Sequence, residues 1–297
     1  MSQLIECVPN FSEGRNPRVI EGIAQAIAST PGVSLLDVDP EPDTNRTVMT
    51  FFGPPENVVE AAVRGAVAAA RTIDMRRHQG SHPRMGAVDV IPFVPWSSNL
   101  KMAELCAREA ASRLEGFGLG GWFYGTNGRS AHQVRRGEFE GLAEREAPDF
   151  GQVHPTAGAV AVGARPVLIA FNVNLKTPEV RIAKGIARRV RESSGGLKGV
   201  RAMGWESPSK GCTQVTTNLV DWRTTAPHEL FLAVREHARA LGTDTRGCEL
   251  VGMIPLAALE AAGRAFDGAE HALVAVAEHE LGLGRITHKV IEYRLEA

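Results

Sequence analysis

Apolar positions recur along the chain in two rhythms, one of period two and one close to four, and their order outlines a repeated unit. Residues 3–8 suit a strand, and Asn16-Pro17 then supplies an N-cap and a first-turn proline to a helix carrying Ile20, Ile23 and Ile27 on one face. Residues 33–38 and 47–52 predict two strands around the turn-rich Pro40-Glu41-Pro42-Asp43-Thr44-Asn45. A helix from about residue 56 follows, with Val59, Ala62, Val63, Ala66 and Ala70 inward, and residues 88–94 close the set as a strand. The order is β-α-β-β-α-β, the split unit of the ferredoxin-like type.

The same order returns later with little sequence identity to the first. Residues 167–175 predict an apolar strand, 180–191 a helix with Ile182, Ile186 and Val190 aligned, and 200–205 and 213–220 two successive strands. A helix over 227–241 and a strand over 250–254 complete it. The pattern therefore predicts an α/β (α+β) protein of two ferredoxin-like subdomains, residues 1–165 and 166–297, with the segment 125–166 containing the connection. Helices on one face of each sheet leave the other open. In the second copy that face would carry Gln214, Thr216, Asn218, Asn172 and Asn174; it is either solvated or part of a polar ligand crevice between facing sheets.

Composition narrows the class of function. Thirty-three Lys and Arg against thirty-four Asp and Glu leave a formal charge of -1, so no global positive field exists to hold a nucleic acid or an anionic membrane. With 43% hydrophobic and 23% charged residues the chain is an ordinary globular one. Four scattered cysteines without a Cys-x-x-Cys pair favour reduced thiols in a cytoplasm, and the first residues lack the basic and apolar regions of a signal peptide.

Reactive residues concentrate in Arg76-Arg77-His78-Gln79-Gly80-Ser81-His82-Pro83-Arg84-Met85-Gly86. Gly80 and Pro83 argue against a helix that would present His78 and His82 to a metal, and Asp89 reads as a strand residue, so no metal site is expected. A loop imidazole suits general acid/base work because its pKa of about 6.5 lets it take and return a proton. A solvated basic turn is the alternative. Asp37 and Asp39, at the end of the second strand, suit either orientation of an imidazole or an Asx-turn. Asn10 and Ser12 suit turn, cap or ligand contacts equally.

Longer motifs go further. Glu6-Cys7-Val8-Pro9-Asn10-Phe11-Ser12-Glu13-Gly14, Leu35-Leu36-Asp37-Val38-Asp39 with Thr44-Asn45-Arg46-Thr47, and His82-Pro83-Arg84-Met85-Gly86-Ala87-Val88-Asp89 together resemble the glutamate formimidoyltransferase family, the transferase half of formiminotransferase-cyclodeaminase. The resemblance continues through Arg136-Gly137-Glu138-Phe139-Glu140, Pro148-Asp149-Phe150-Gly151, residues 168–175 and Gln214-Val215-Thr216-Thr217-Asn218-Leu219, and covers most of the chain. It implies transfer of a formimidoyl group from N-formimidoyl-glutamate to N5 of tetrahydrofolate as co-substrate, without metal or redox cofactor. It also implies two α/β subdomains forming a folate crevice, a homodimer and, lacking a fused cyclodeaminase, a separate deaminase partner.

By the His-Pro-Arg-Met-Gly motif the family's catalytic histidine maps onto His82, with Asp39 expected beside it. The folate loop maps onto Gly151-Gln152-Val153-His154-Pro155-Thr156-Ala157-Gly158, here shorter and without an aromatic residue near Ala157. Arg46, Arg84 and Arg165 are expected partners for substrate carboxylates, with Asn10 nearby. Formyl transfer between 5-formyltetrahydrofolate and glutamate, and a catalytically silent folate-binding module, are the alternatives. No role with nucleic acid or membrane is expected.

Overall fold

The structure is a computed structural model and describes residues 3–296. The chain divides into two compact units between Pro166 and Val167. In the first, the order is β1 (Ile5–Cys7), β2 (Asn10–Phe11), α1 (Pro17–Ala28), β3 (Ser34–Glu41), β4 (Arg46–Gly53), α2 (Pro55–Thr72), β5 (Val88–Pro95), α3 (Leu100–Gly116), β6 (Gly121–Gly125), α4 (Ala131–Val134) and β7 (Val160–Ala164). β1 and β2 form one interrupted strand. Pro9 has no N–H to donate and breaks the ladder, though its carbonyl still accepts from Met49 at 3.1 Å. This strand lies between β4 and β5, and β3 pairs on the far side of β4, all antiparallel. The spatial order β3-β4-β1/β2-β5 is the arrangement expected of the split unit.

The sheet does not stop at four strands. β7 pairs parallel to β5, and β6 parallel to β7, giving seven strands. Part of the segment expected to serve as connection is therefore sheet. α1, α2 and α3 cover one face, where Ile23, Ile27, Val59, Val63, Ala66, Ala107 and Leu114 pack on Phe11, Phe51, Ile91, Phe93 and Val162. On the other face a smaller cluster joins Val134 and Leu142 to Met85, Val90, Trp122 and Ala161. Residues around α4 are thereby held over the sheet face opposite α1, α2 and α3.

The second unit contains β8 (Ile169–Leu175), α5 (Val180–Val190), β9 (Val200–Ser207), β10 (Cys212–Leu219), α6 (Pro227–Ala240) and β11 (Thr245–Val251), followed by α7 (Leu256–Ala265), α8 (Leu273–Glu280) and α9 (Ile291–Leu295). Its sheet runs β11-β8-β10-β9, the same order as the four strands of the first unit. The last strand starts earlier than its apolar end, because Thr245-Arg246-Gly247 opens it around a bulge. Ile186, Val190, Leu230 and Val234 bury against Phe171, Val173 and Val215.

Much of the polar face of this sheet is internally hydrogen-bonded, although Thr216 Oγ1 is buried without a partner. Gln214, with 0% of its surface exposed, donates through Nε2 to Asn174 at 2.7 Å and Glu249 at 2.8 Å, and accepts from Trp205 Nε1 at 2.9 Å. Lys210 closes the row on Glu249 at 2.6 Å. Among the described residues no helix is long and apolar enough to cross a membrane.

Candidate active site

The reactive loop leaves α2, hydrogen-bonds to the β3–β4 turn through His78, Gln79 and Ser81, and returns to the sheet as β5. Its last residues are fixed by two glycines. A Cβ on Gly86 would stand 2.2 Å from the carbonyl oxygen of Ala159, and Gly158, at φ +72°, would place one 2.3 Å from that of Met85. The two backbones therefore pair directly. Ala87 donates to Ala157 at 2.8 Å and Ala159 to Met85 at 3.0 Å. The loop expected to hold folate is thus packed against the His-Pro-Arg-Met-Gly segment. Within it His154 and Gly158 exchange two backbone hydrogen bonds, and His154 Nδ1 accepts from the N–H of Ala157 at 3.0 Å. Gln152 and Pro155 are exposed, Gly151, Val153 and Thr156 half-buried, and Ala157 buried.

His82 is half-buried, and its Nδ1 lies 2.6 Å from the carbonyl oxygen of Pro83. A carbonyl only accepts, so Nδ1 carries the proton and Nε2 presents its lone pair. Burial, then the charges of Arg46 and Arg135, bring the imidazole down to about 3, against the opposing pull of Asp89. The ring is neutral across the physiological range. It is a base whose protonated form needs an added negative charge nearby.

Asp89 is the centre of that charge arrangement. β2 and β5 slip by one residue, Asn10 facing Val90 while Phe11 faces Val88, so a bulge falls at Asp89. A bulge re-aims a side chain, and here the carboxylate, 0% exposed, meets Arg46 Nη1 at 2.6 Å and Arg135 Nε at 2.7 Å on the same oxygen. Its other oxygen accepts from Met85 N–H at 3.0 Å. Burial opposes ionisation, but the charges of Arg135 and Arg46 outweigh it and hold the carboxyl at about 2. Burial and Arg135 in turn lower Arg46 to about 10. Two cations thus share one anion.

The arginines around the loop differ in how far their donors are used. Arg84 places all five N–H groups on protein acceptors: Nε on His78 Nδ1, Nη1 on Glu138 and Glu140, Nη2 on Glu140 and the His78 carbonyl. It was expected to meet a substrate carboxylate, and instead it ties residues 138–140 to the loop. His78 is fixed with it, donating from Nε2 to the Asn45 carbonyl at 2.9 Å. Arg46 uses only two donors, on Asn10 at 3.1 Å and Asp89. Arg135 meets Asp89 as a charge, but its buried Nε has no aligned acceptor.

Asn10 and Asp39 both pair with Val48, which puts them on the face that carries Arg46. Asp89 is a carboxylate whose charge acts on His82. Arg165 follows β7, donates from Nη1 to the Pro166 carbonyl at 3.0 Å, and its charge acts on Cys7 and Tyr124 instead of on His82. A surface hollow of about 650 Å³ beside the loop is lined by Arg76, Arg77, His78, Gln79, Arg84 and Glu138 among others, without His82. Among the described residues no group of three or more His, Cys, Asp or Glu is placed to hold a metal. Sequence reading missed Arg135; its one local sign is the capping box of Ser130 and Gln133 that starts α4.

Residues 4–165 match the family model described as the N-terminal subdomain of the formiminotransferase domain, and residues 170–295 match the formiminotransferase domain. The chain belongs to the formiminotransferase family. It is 43% identical to a formimidoyltransferase-cyclodeaminase of Rattus norvegicus over 95% of its own length, and spans 56% of that relative. Two shorter relatives are covered almost fully. A glutamate formimidoyltransferase of Streptococcus pyogenes is 38% identical over 87% of this chain and 91% of its own, and one of Thermoplasma acidophilum 36% identical over 99% and 97%.

Proposed function

We propose that the protein transfers the formimidoyl group of N-formimidoyl-L-glutamate to N5 of tetrahydrofolate and releases glutamate. The observation that carries this reading is the neutral imidazole of His82, with Nδ1 tied down and Nε2 open, beside an excess of buried positive charge. Family membership and the names of the two shorter relatives support the same chemistry.

The amine N5 attacks the amidine carbon and forms a tetrahedral adduct. Nε2 of His82 removes the proton from N5 and returns it to the glutamate nitrogen, after which the carbon–nitrogen bond to glutamate breaks. One group serves as base and then acid, so no proton is gained or lost overall. The Pro83 carbonyl holds the tautomer this needs, and Asp89 stabilises the imidazolium while it exists. Asp39 shares the sheet face with Asn10 and Arg46 and belongs to the substrate side of this reading. The 151–158 loop, with Gln152, Val153 and Pro155 toward its surface, is assigned to folate, and Arg165 to the edge of the same region. A homodimer, a cytoplasmic setting and a cyclodeaminase activity that consumes the formimidoyl product complete the proposal.

Glutamate release from N-formimidoyl-L-glutamate tests it, measured with and without tetrahydrofolate for wild type and His82→Ala. Release that depends on folate and falls by roughly 10²–10⁴ in the variant is expected. Undiminished turnover by His82→Ala would sink the role of His82, and absence of folate-dependent release would sink the activity.

A further inference from the structure

Arg46 and Arg135 stand beside His82 with unspent hydrogen-bonding capacity. Of the five N–H donors on Arg46, two meet protein acceptors. Arg135 has an ion pair with Asp89 but no aligned hydrogen bond from its guanidinium, and its Nε is buried without one. Both side chains are largely buried, 8% and 16% exposed, and share the single charge of Asp89. Buried cations in excess of their partners are costly unless an anion joins them. Arg84, a few residues away in sequence, shows the contrast of a guanidinium with every donor placed. The charges of both arginines act on His82.

We infer that Arg135, with Arg46, forms a clamp for the α-carboxylate of the donor substrate, Asp89 setting the spacing of the two guanidinium groups. This rests on the proposed transferase reading and deepens it. The choice of carboxylate follows from connectivity. In an N-formimidoyl amino acid the α-carboxylate is on the carbon bonded to the nitrogen that leaves, so it lies within a few bonds of the proton that His82 handles. The carboxylates of tetrahydrofolate lie beyond its aminobenzoyl ring, remote from N5. A clamp next to His82 therefore reads the donor. It also supplies the missing negative charge: a bound carboxylate offsets Arg46 and Arg135 and makes His82 a stronger base only when the donor is in place.

The test compares N-formimidoyl-L-glutamate with 4-(formimidoylamino)butyrate, the same donor without its α-carboxylate, in wild type, Arg135→Gln and Arg135→Lys. Loss of a charge-assisted contact predicts a roughly tenfold to hundredfold rise in KM for the glutamate donor in Arg135→Gln. The KM for tetrahydrofolate should stay within about threefold while the preference between the two donors collapses, and Arg135→Lys should recover part of that preference. In the ligand-free protein the NMR titration of His82 should move up in Arg135→Gln and stay in place in Arg135→Lys, which reports the charge of Arg135 at the imidazole; the loss confined to the donor that carries an α-carboxylate is the response that a merely structural arginine would not give. Equal losses on both donors, or an unchanged preference, would overturn the clamp while leaving the transferase reading intact. Wild-type protein inactive on both donors would overturn the transferase reading itself and the clamp with it.

Discussion

Replacing Asp89 by Asn removes one charge without changing the size of the side chain, and the cost can be worked from the site. In the wild type a fully buried carboxylate holds two guanidinium groups at 2.6 and 2.7 Å on one oxygen. Its pKa is about 2 against an ordinary 3.8: burial pushes it up, and the charges of Arg135 and Arg46 more than reverse this. At about 1.36 kcal/mol per pH unit that gap of about 1.8 is worth about 2.5 kcal/mol. Asparagine resembles the protonated acid, so this is the lower figure. Two buried cations left without their anion move the loss toward about 3–5 kcal/mol. The folded value lies below the unfolded one, so the stabilisation is complete above about pH 5 and fades as pH falls through 3.8 toward 2. Urea denaturation of both proteins at pH 7 and down to pH 3, followed by tryptophan fluorescence, should show the gap shrinking to roughly half by pH 3. A variant within about 0.5 kcal/mol of wild type at pH 7, or a gap constant down to pH 3, would refute the reasoning.

Two further outcomes follow from other parts of the molecule. His82, and to a lesser extent His78, are lowered from the ordinary histidine value chiefly by burial; the unfolded chain therefore takes up protons first, and wild-type stability should fall as pH drops below about 6.5, by about 2 kcal/mol at pH 5 from His82 alone. A His82→Gln protein should lose that share of the slope in the same denaturation series, and an unchanged slope would contradict it. In the second unit, Gln214→Leu leaves Trp205 Nε1, Asn174 and Glu249 without a shared partner, so a loss of about 1–3 kcal/mol is expected, with the Trp205 indole N–H resonance displaced; a stability equal to wild type would show that the polar row is replaceable.

The repeated β-α-β-β-α-β order was legible because its strands and helices carry a strongly periodic sequence: Ile20, Ile23 and Ile27 face the core as spaced, and Thr213, Val215, Thr217 and Leu219 are buried in step, while Thr216 and Asn218 between them are more open and Gln214 is buried in its hydrogen-bond network. β7 was not legible. Val160-Ala161-Val162-Gly163-Ala164 is short, built of small residues, and buried along its whole length, so it shows no alternation. Its partner β5 is also distant in sequence, and a parallel pairing leaves no turn signature. The opening of β11 was hidden by Arg246 and Gly247, where the ladder slips and period two fails.

The site divides along the same line between local pattern and long-range placement. His82 could be singled out because its loop concentrates reactive side chains in consecutive residues, and the His-Pro-Arg-Met-Gly motif distinguishes it from His78 in the proposed reading. Asp89 read as an ordinary strand position, since a bulge is defined by the register between two strands and leaves no mark in Val88-Asp89-Val90. Arg135 is further removed. It reaches the carboxylate only because Val134 and Leu142 anchor the α4 region over Met85, Val90 and Trp122 on the open face of the sheet. The net charge of -1, which argued against a polyanionic partner, says nothing about a site in which one buried carboxylate is set against two buried guanidinium groups. A ligand reads the charge within a few ångströms, where burial weakens screening, and at that range Arg46 and Arg135 outnumber Asp89. Under the proposed mechanism, the same excess that lowers His82 in the free protein would let an arriving carboxylate strengthen it as a base, coupling donor binding to the onset of proton transfer.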